Sequence, residues 1–132
     1  MRCKTKFISV EVAIKTDHPH ESFVEWFETH GEAVIVVPCD THRAYVYFAP
    51  LPLGTPDETI RHLCRQIAAL NGPPRQQWDA AEFREFYLGY EAGDEPFCFE
   101  DHFSHETLLA VTAIGAGIGL AFYAVRDTEL HS

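Results

Sequence analysis

Apolar residues in this chain change period in a fixed order, from two to 3.6 and back again, and that order leaves few ways to close a sheet. Between Lys6 and Lys15, Ile8, Val10, Val12 and Ile14 alternate with Ser9, Glu11 and Ala13. The alternation predicts a strand with those four on one face, which should be core. Phe23, Trp26, Phe27 and His30 then fall at i, i+3, i+4 and i+7. They mark the buried stripe of a helix that Asp17-His18-Pro19 opens and Gly31 stops. Two apolar, β-branched runs follow, Ala33 to Val37 and Ala44 to Ala49. With Cys39-Asp40-Thr41-His42-Arg43 between them they predict a hairpin.

Thr55-Pro56-Asp57-Glu58 is the clearest local signal in the chain: a capping threonine, proline at the first helical position and an acid at the third. Ile60, Leu63, Cys64, Ile67 and Leu70 continue it as a buried stripe, and Asn71-Gly72-Pro73-Pro74 reads as its end. Arg75 to Phe83 fits either a short helix or a loop pinned by Trp78. Period two returns from Arg84 to Glu91, where Phe86, Leu88 and Tyr90 alternate with Glu85, Tyr87 and Glu91, and Gly89 marks a bulge or a close approach. Ser104 caps a helix from His105 to Ile114, stopped by Gly115. Ile118 to Val125 is a last strand, apolar on both faces and therefore read as covered, not as a wet edge.

The order β-α-β-β-α-β followed by α-β predicts the α+β class. The expected architecture is a ferredoxin-like βαββαβ core with an appended helix and strand, a mostly antiparallel sheet with helices on one face. No repeat or linker divides the 132 residues, so 1–132 reads as a single domain. The other face of such a sheet, expected to carry Phe7, Ala13, Tyr45, Tyr47, Tyr87 and Tyr123, needs a cover: the extra elements, a second subunit or a ligand.

Charge is unevenly spread. Residues 79–106 hold nine acidic side chains against the single Arg84, so −8 of the chain's total of −10 lies there, interleaved with seven aromatic rings. A balance this acidic repels phosphate backbones and argues against nucleic acid. The uncharged run from Thr107 to Val125 is interrupted by Gly115, Gly117 and Gly119, and the segment behind the basic N-terminus alternates like a strand. Neither reads as a membrane span or signal. Cys3, Cys39, Cys64 and Cys98 have no knuckle or redox spacing and read as reduced thiols of a cytoplasmic protein.

No motif names a reaction. His102 and His105 stand three apart with Glu100, Asp101 and Glu106 nearby, so both could reach one divalent metal. Against this, Ser104 reads as the cap, which separates the two histidines across a helix start. Asp17-His18-Pro19-His20-Glu21 and Cys39-Asp40-Thr41-His42 read more simply as polar loop and cap residues than as one assembled site. A Cys98 nucleophile is disfavoured by the surrounding carboxylates, which raise a thiol's pKa. The glycines Gly115, Gly117 and Gly119 follow a helix and precede a strand, the reverse of a dinucleotide-binding turn, and read as helix stop plus close packing.

These readings point first to a small non-catalytic binding protein without a cofactor, an acidic inhibitor or immunity-type protein that docks a basic protein partner. The docking face is expected at the end of the fourth strand. It comprises Glu91, Asp94, Glu95, Phe97, Phe99, Glu100 and Asp101, with Phe97 or Phe99 partly exposed among the carboxylates. Alternatives are a metal-binding protein or metal-dependent hydrolase using His102 and His105, and a dimeric small-ligand-binding protein that buries the aromatic sheet face.

Overall fold

The computed structural model describes residues 3–17, 21–32, 34–39, 43–48 and 54–124. These form β1 (Lys6–Asp17), α1 (Glu21–Thr29), β2 (Val34–Pro38), β3 (Arg43–Phe48), α2 (Pro56–Ala68), α3 (Gly72–Ala80), β4 (Phe83–Glu91), α4 (His105–Ala113) and β5 (Gly117–Tyr123). The strands make one five-stranded sheet in the order β2-β3-β1-β4-β5. Every neighbouring pair is antiparallel except β4 and β5, which are parallel. The class is α+β, as the order of periods predicts.

β1 is the middle strand and divides the molecule. Val10, Val12 and Ile14 are fully buried beside Phe86, Leu88 and Tyr90 of β4 and Val46 of β3. Phe23 and Phe27 of α1, Ile60, Leu63 and Ile67 of α2, Trp78 of α3 and Val111 of α4 close on that same face in one core cluster. The opposite face carries Ser9, Glu11, Ala13 and Lys15 of β1 with their cross-strand neighbours Tyr45, Tyr47, Glu85 and Tyr87.

The alternation fails at one point. Phe7 pairs with Tyr90 and Ser9 with Gly89, leaving Ile8 as an extra residue in the register. Such a bulge reverses the alternation beyond it. Ile8 is therefore exposed and not core, and Phe7 turns to the helix side, 5.8 Å from the Tyr90 ring, and not to the second face where its parity placed it.

Arg75 to Phe83 resolves as a helix and turn. Asn71 stands at the cap position of α3, and Pro73 and Pro74 lie in its first turn. The prolines that read as the end of one helix thus begin the next. Trp78 is fully buried, stacks on Phe23 at 5.7 Å and donates its indole N–H to the Ile114 carbonyl at 2.8 Å. One side chain thereby fills the core and satisfies a helix-end acceptor. Arg84, on the helix side of β4, donates to the carbonyls of Trp78, Asp79, Ala81 and Gly115 at 2.9–3.3 Å, tying the end of α3 to the turn after α4.

The predicted caps are present. Thr55 Oγ1 accepts from the Glu58 N–H at 3.2 Å, and Ser104 Oγ accepts from the Thr107 N–H at 3.1 Å. The two helix starts also meet: the Ser104 N–H donates to Asp57 Oδ1 at 2.8 Å, and Arg61 bridges Asp57 at 2.8 Å and Glu106 at 3.6 Å. Desolvation pushes the Asp57 carboxyl up, but hydrogen bonds from Ser104 and Thr107 and the Arg61 charge outweigh it and hold the group below the usual range.

β5 corrects an expectation. Among the described residues it is an edge strand, paired only with β4, and Leu120 and Phe122 on its helix side are more than half exposed. An apolar pattern on both faces reads the same in a buried strand and in an edge strand, because side chains do not encode which backbone edge is paired. Among the described residues no helix is long and apolar enough to cross a membrane.

Candidate functional site

The end of β4 is built to present a loop. After Glu91 the chain runs back along Cys3–Thr5, so that the Thr5 N–H donates to the Glu95 carbonyl at 2.7 Å. The N–H groups of Asp94 and Glu95 donate to the Cys3 carbonyl at 2.8 and 3.0 Å. The Asp94 carboxylate accepts from the Cys3 N–H at 2.7 Å, and Thr5 Oγ1 accepts from the Gly93 N–H at 2.9 Å. Gly93 is required by close approach, since a Cβ there would stand 2.3 Å from the Cys3 carbonyl oxygen.

The far end of the loop is held from below. Tyr90 is almost fully buried, and its hydroxyl donates to Asp101 Oδ2 at 2.6 Å. Burial first, then the Asp101 hydrogen bond and charge, push the phenol well above its ordinary range. The Tyr90 ring stacks on Phe122 at 4.9 Å and meets Phe99 edge-on at 5.7 Å. Between the two anchors, Phe97 stands fully exposed. Beside it opens a cavity of about 930 Å³ lined by Lys4, Thr5, Asp94, Glu95, Pro96, Phe97, Phe99 and Glu100.

The seven residues expected to form the docking face divide by duty. Glu91 lies on the open face of β4 and pairs with Lys6 at 4.0 Å. Asp94 and Asp101 are turned to internal bonds. Phe99 packs on Tyr90 while partly exposed, and Phe97 and Glu100 are exposed beside the half-buried Glu95, with Glu100 also 3.3 Å from His102. Sequence reasoning missed Lys4, Thr5 and Pro96 as lining residues. The available signal was the basic N-terminal run, of which Lys6 reaches the acidic segment 4.0 Å from Glu91.

The two histidines fall on either side of the Ser104 cap. His102 precedes α4 and pairs with Glu100 at 3.3 Å, while His105 is the first residue of the helix, beyond the Ser104 cap. Among the described residues no group of three or more His, Cys, Asp or Glu gathers in a way that could hold a metal. His18, His20, Asp40, Thr41 and His42 lie outside the described residues. All four thiols are free; burial pushes Cys64 up to about 12, and Cys98 Sγ lies 3.9 Å from a Glu100 oxygen.

A second surface is the uncovered face of the sheet. Tyr45 and Tyr47 stack at 5.8 Å, and Lys15 lies 5.5 Å over the Tyr45 ring. Glu82 sits between two cations, 3.8 Å from Lys15 and 3.2 Å from Arg43. Ile35, Val37, Phe83 and Tyr123 are exposed around the tyrosines. Glu85 and Tyr87 lean over Gly119, where a Cβ would approach them to 2.6 and 3.0 Å, so Gly119 serves close packing, whereas a Cβ at Gly117 would meet nothing within 4 Å. Glu11 has no hydrogen-bond or ion-pair partner among the described residues; desolvation alone raises its carboxyl. Desolvation, then the neighbouring Tyr45, Glu11 and Cys39, raise Tyr47.

No family model matches the chain, and no curated protein or solved structure matches it either.

Proposed function

We propose that the protein is a one-domain, cytoplasmic, non-catalytic binding protein that docks a basic protein partner on the loop around Phe97, in the manner of an acidic inhibitor or immunity protein. The observation that carries this reading is a fully exposed phenylalanine between carboxylates on a loop fixed at both ends. Exposing a Phe side chain forgoes roughly 2 kcal/mol of burial, and aromatic side chains are enriched where surfaces meet. A pinned loop also loses little conformational freedom on binding, which favours affinity. The adjoining cavity suits a long cationic side chain, whose stem would lie on Phe97 and Pro96 and whose charge would meet Glu95 and Glu100. Within the same reading the framework is a ferredoxin-like core extended by β5. It is supported by the order β2-β3-β1-β4, with β1 antiparallel to both neighbours.

The test is titration calorimetry with a partner captured on the immobilised chain and then purified. Wild-type affinity should fall with ionic strength, and Phe97→Ser or charge reversal at Glu91, Glu95 and Glu100 should weaken binding by about 100-fold or more. Affinity equal to wild type in both variants would remove the loop as the docking site.

A further inference from the structure

The uncovered sheet face has a charge pattern with a simple symmetry. Lys15 and Glu11 project from the same side of β1 with Ala13 midway between them, about 13 Å apart at the rise of an extended strand. A two-fold axis through Ala13, running across the strands, exchanges the two positions. From this geometry we propose that the face is covered by a second copy of the chain, in an isologous dimer that sets Lys15 of each copy against Glu11 of the other.

The neighbouring rows fit the same operation. Phe83 shares the row of Lys15 and Tyr87 the row of Glu11, so the axis brings an exposed Phe83 ring over a Tyr87 ring. Ala13 is the small residue at the crossing, which lets two sheets approach to the roughly 10 Å of face-to-face packing. Tyr47 lies on the axis and meets its own copy, where ring stacking is favourable. Glu85 also lies on the axis, a placement that would set like charges together. Its carboxylate instead leans over Gly119, off the row. The rotation of about 30° between aligned sheets displaces Lys15 from Glu11 by only about 3 Å, within the reach of a lysine stem.

Glu11 is what selects this occupant. Covering an unpaired carboxylate with a purely apolar surface is costly, so whatever covers this face must bring a cation to it. A second copy does so with Lys15, a cation that shares the Glu82 carboxylate with Arg43. Five strands at about 4.8 Å spacing give a face of roughly 20 by 25 Å, which with side-chain relief approaches the ~800 Å² per partner of a standard interface. The Phe97 loop lies at the end of the sheet and stays outside this contact.

Sedimentation velocity on the full chain over a dilution series tests the proposal. The wild type should be dimeric at about 100 μM and dissociate on dilution. Glu11→Lys and Lys15→Glu alone should each weaken the dimer at least about 100-fold, and the double exchange Glu11→Lys with Lys15→Glu should restore it to within about threefold. Circular dichroism melting establishes that each variant is folded. If one charge reversal does not fold, Glu11→Gln and Lys15→Met replace it and should each weaken the dimer about tenfold. Phe97→Ser should leave the dimer unchanged. A wild type monomeric throughout, singles that dimerise like wild type, a double exchange no better than the singles, or loss of the dimer in Phe97→Ser would each overturn it.

Discussion

The two sides of β1 carry different kinds of information in the same six residues, Val10 to Lys15. On the helix side Val10, Val12 and Ile14 meet Phe86, Leu88 and Val46 and are sealed by four helices. On the other, Glu11, Ala13 and Lys15 sit among Tyr45, Tyr47 and Tyr87 with no helix of the described residues packed over them. The first side has one packing solution and determines whether the chain folds. The second keeps polar groups within an aromatic field, and aromatic side chains are enriched where protein surfaces meet.

The largest way to break this contrast is to open the covered side. Trp78→Ala removes a fully buried indole and its hydrogen bond to Ile114, and should cost about 3–5 kcal/mol in urea or thermal unfolding. Tyr87→Ala on the open face should cost about 1 kcal/mol or less. Equal losses would mean that the monomer already buries the second face. Arg84→Met is the next largest, about 2 kcal/mol, since it keeps the aliphatic stem but leaves the carbonyls at the end of α3 and at Gly115 without their donor.

The same contrast explains what the sequence disclosed. Periods in β1, α2 and β4, the caps at Thr55 and Ser104 and the stop at Gly115 are local, and local rules recover them. Placement of Ala13, Tyr45, Tyr47, Tyr87 and Tyr123 on the open face followed from the same parity. The Ile8 bulge was hidden in β1, whose sequence alternates through it, and was signalled only across the ladder by Gly89, which pairs with Ser9. The edge position of β5 is a backbone property that side chains do not report. At the loop, residue type located the acidic and aromatic cluster, but not that Asp94 would cap Cys3 or that Asp101 would hold Tyr90, because both bonds depend on tertiary placement.

A smaller effect probes the hinge between the two regions. Tyr90→Phe keeps the ring stack with Phe122 and removes only the hydroxyl bond to Asp101, so the core should remain intact while stability falls by about 1 kcal/mol. The informative readout is amide hydrogen exchange: residues 97–102 should exchange faster, with β4 unchanged. Unaltered exchange in the loop would mean that the Cys3–Thr5 pairing alone fixes it.

The smallest effect, and the sharpest for the contrast, comes from two carboxylates displaced in opposite directions. Asp57, on the helix side, titrates below its ordinary 3.8. It adds stability above that value, and the contribution is lost as pH falls through the lower folded value. Glu11, on the open face, titrates above its ordinary 4.5 because burial disfavours its charge. Its ionised form therefore costs stability at neutral pH, and the cost disappears as pH falls through the raised value. At protein concentrations low enough for a monomer, Glu11→Gln should raise stability at neutral pH by no more than about 0.5 kcal/mol. That gain should vanish at about pH 3, where the native carboxyl is already protonated. Asp57→Asn should do the reverse in sign, lowering neutral stability with a loss that shrinks in acid. A neutral-pH loss for Glu11→Gln in the monomer would show that the open face satisfies its own charge and has no need of a partner to supply a cation.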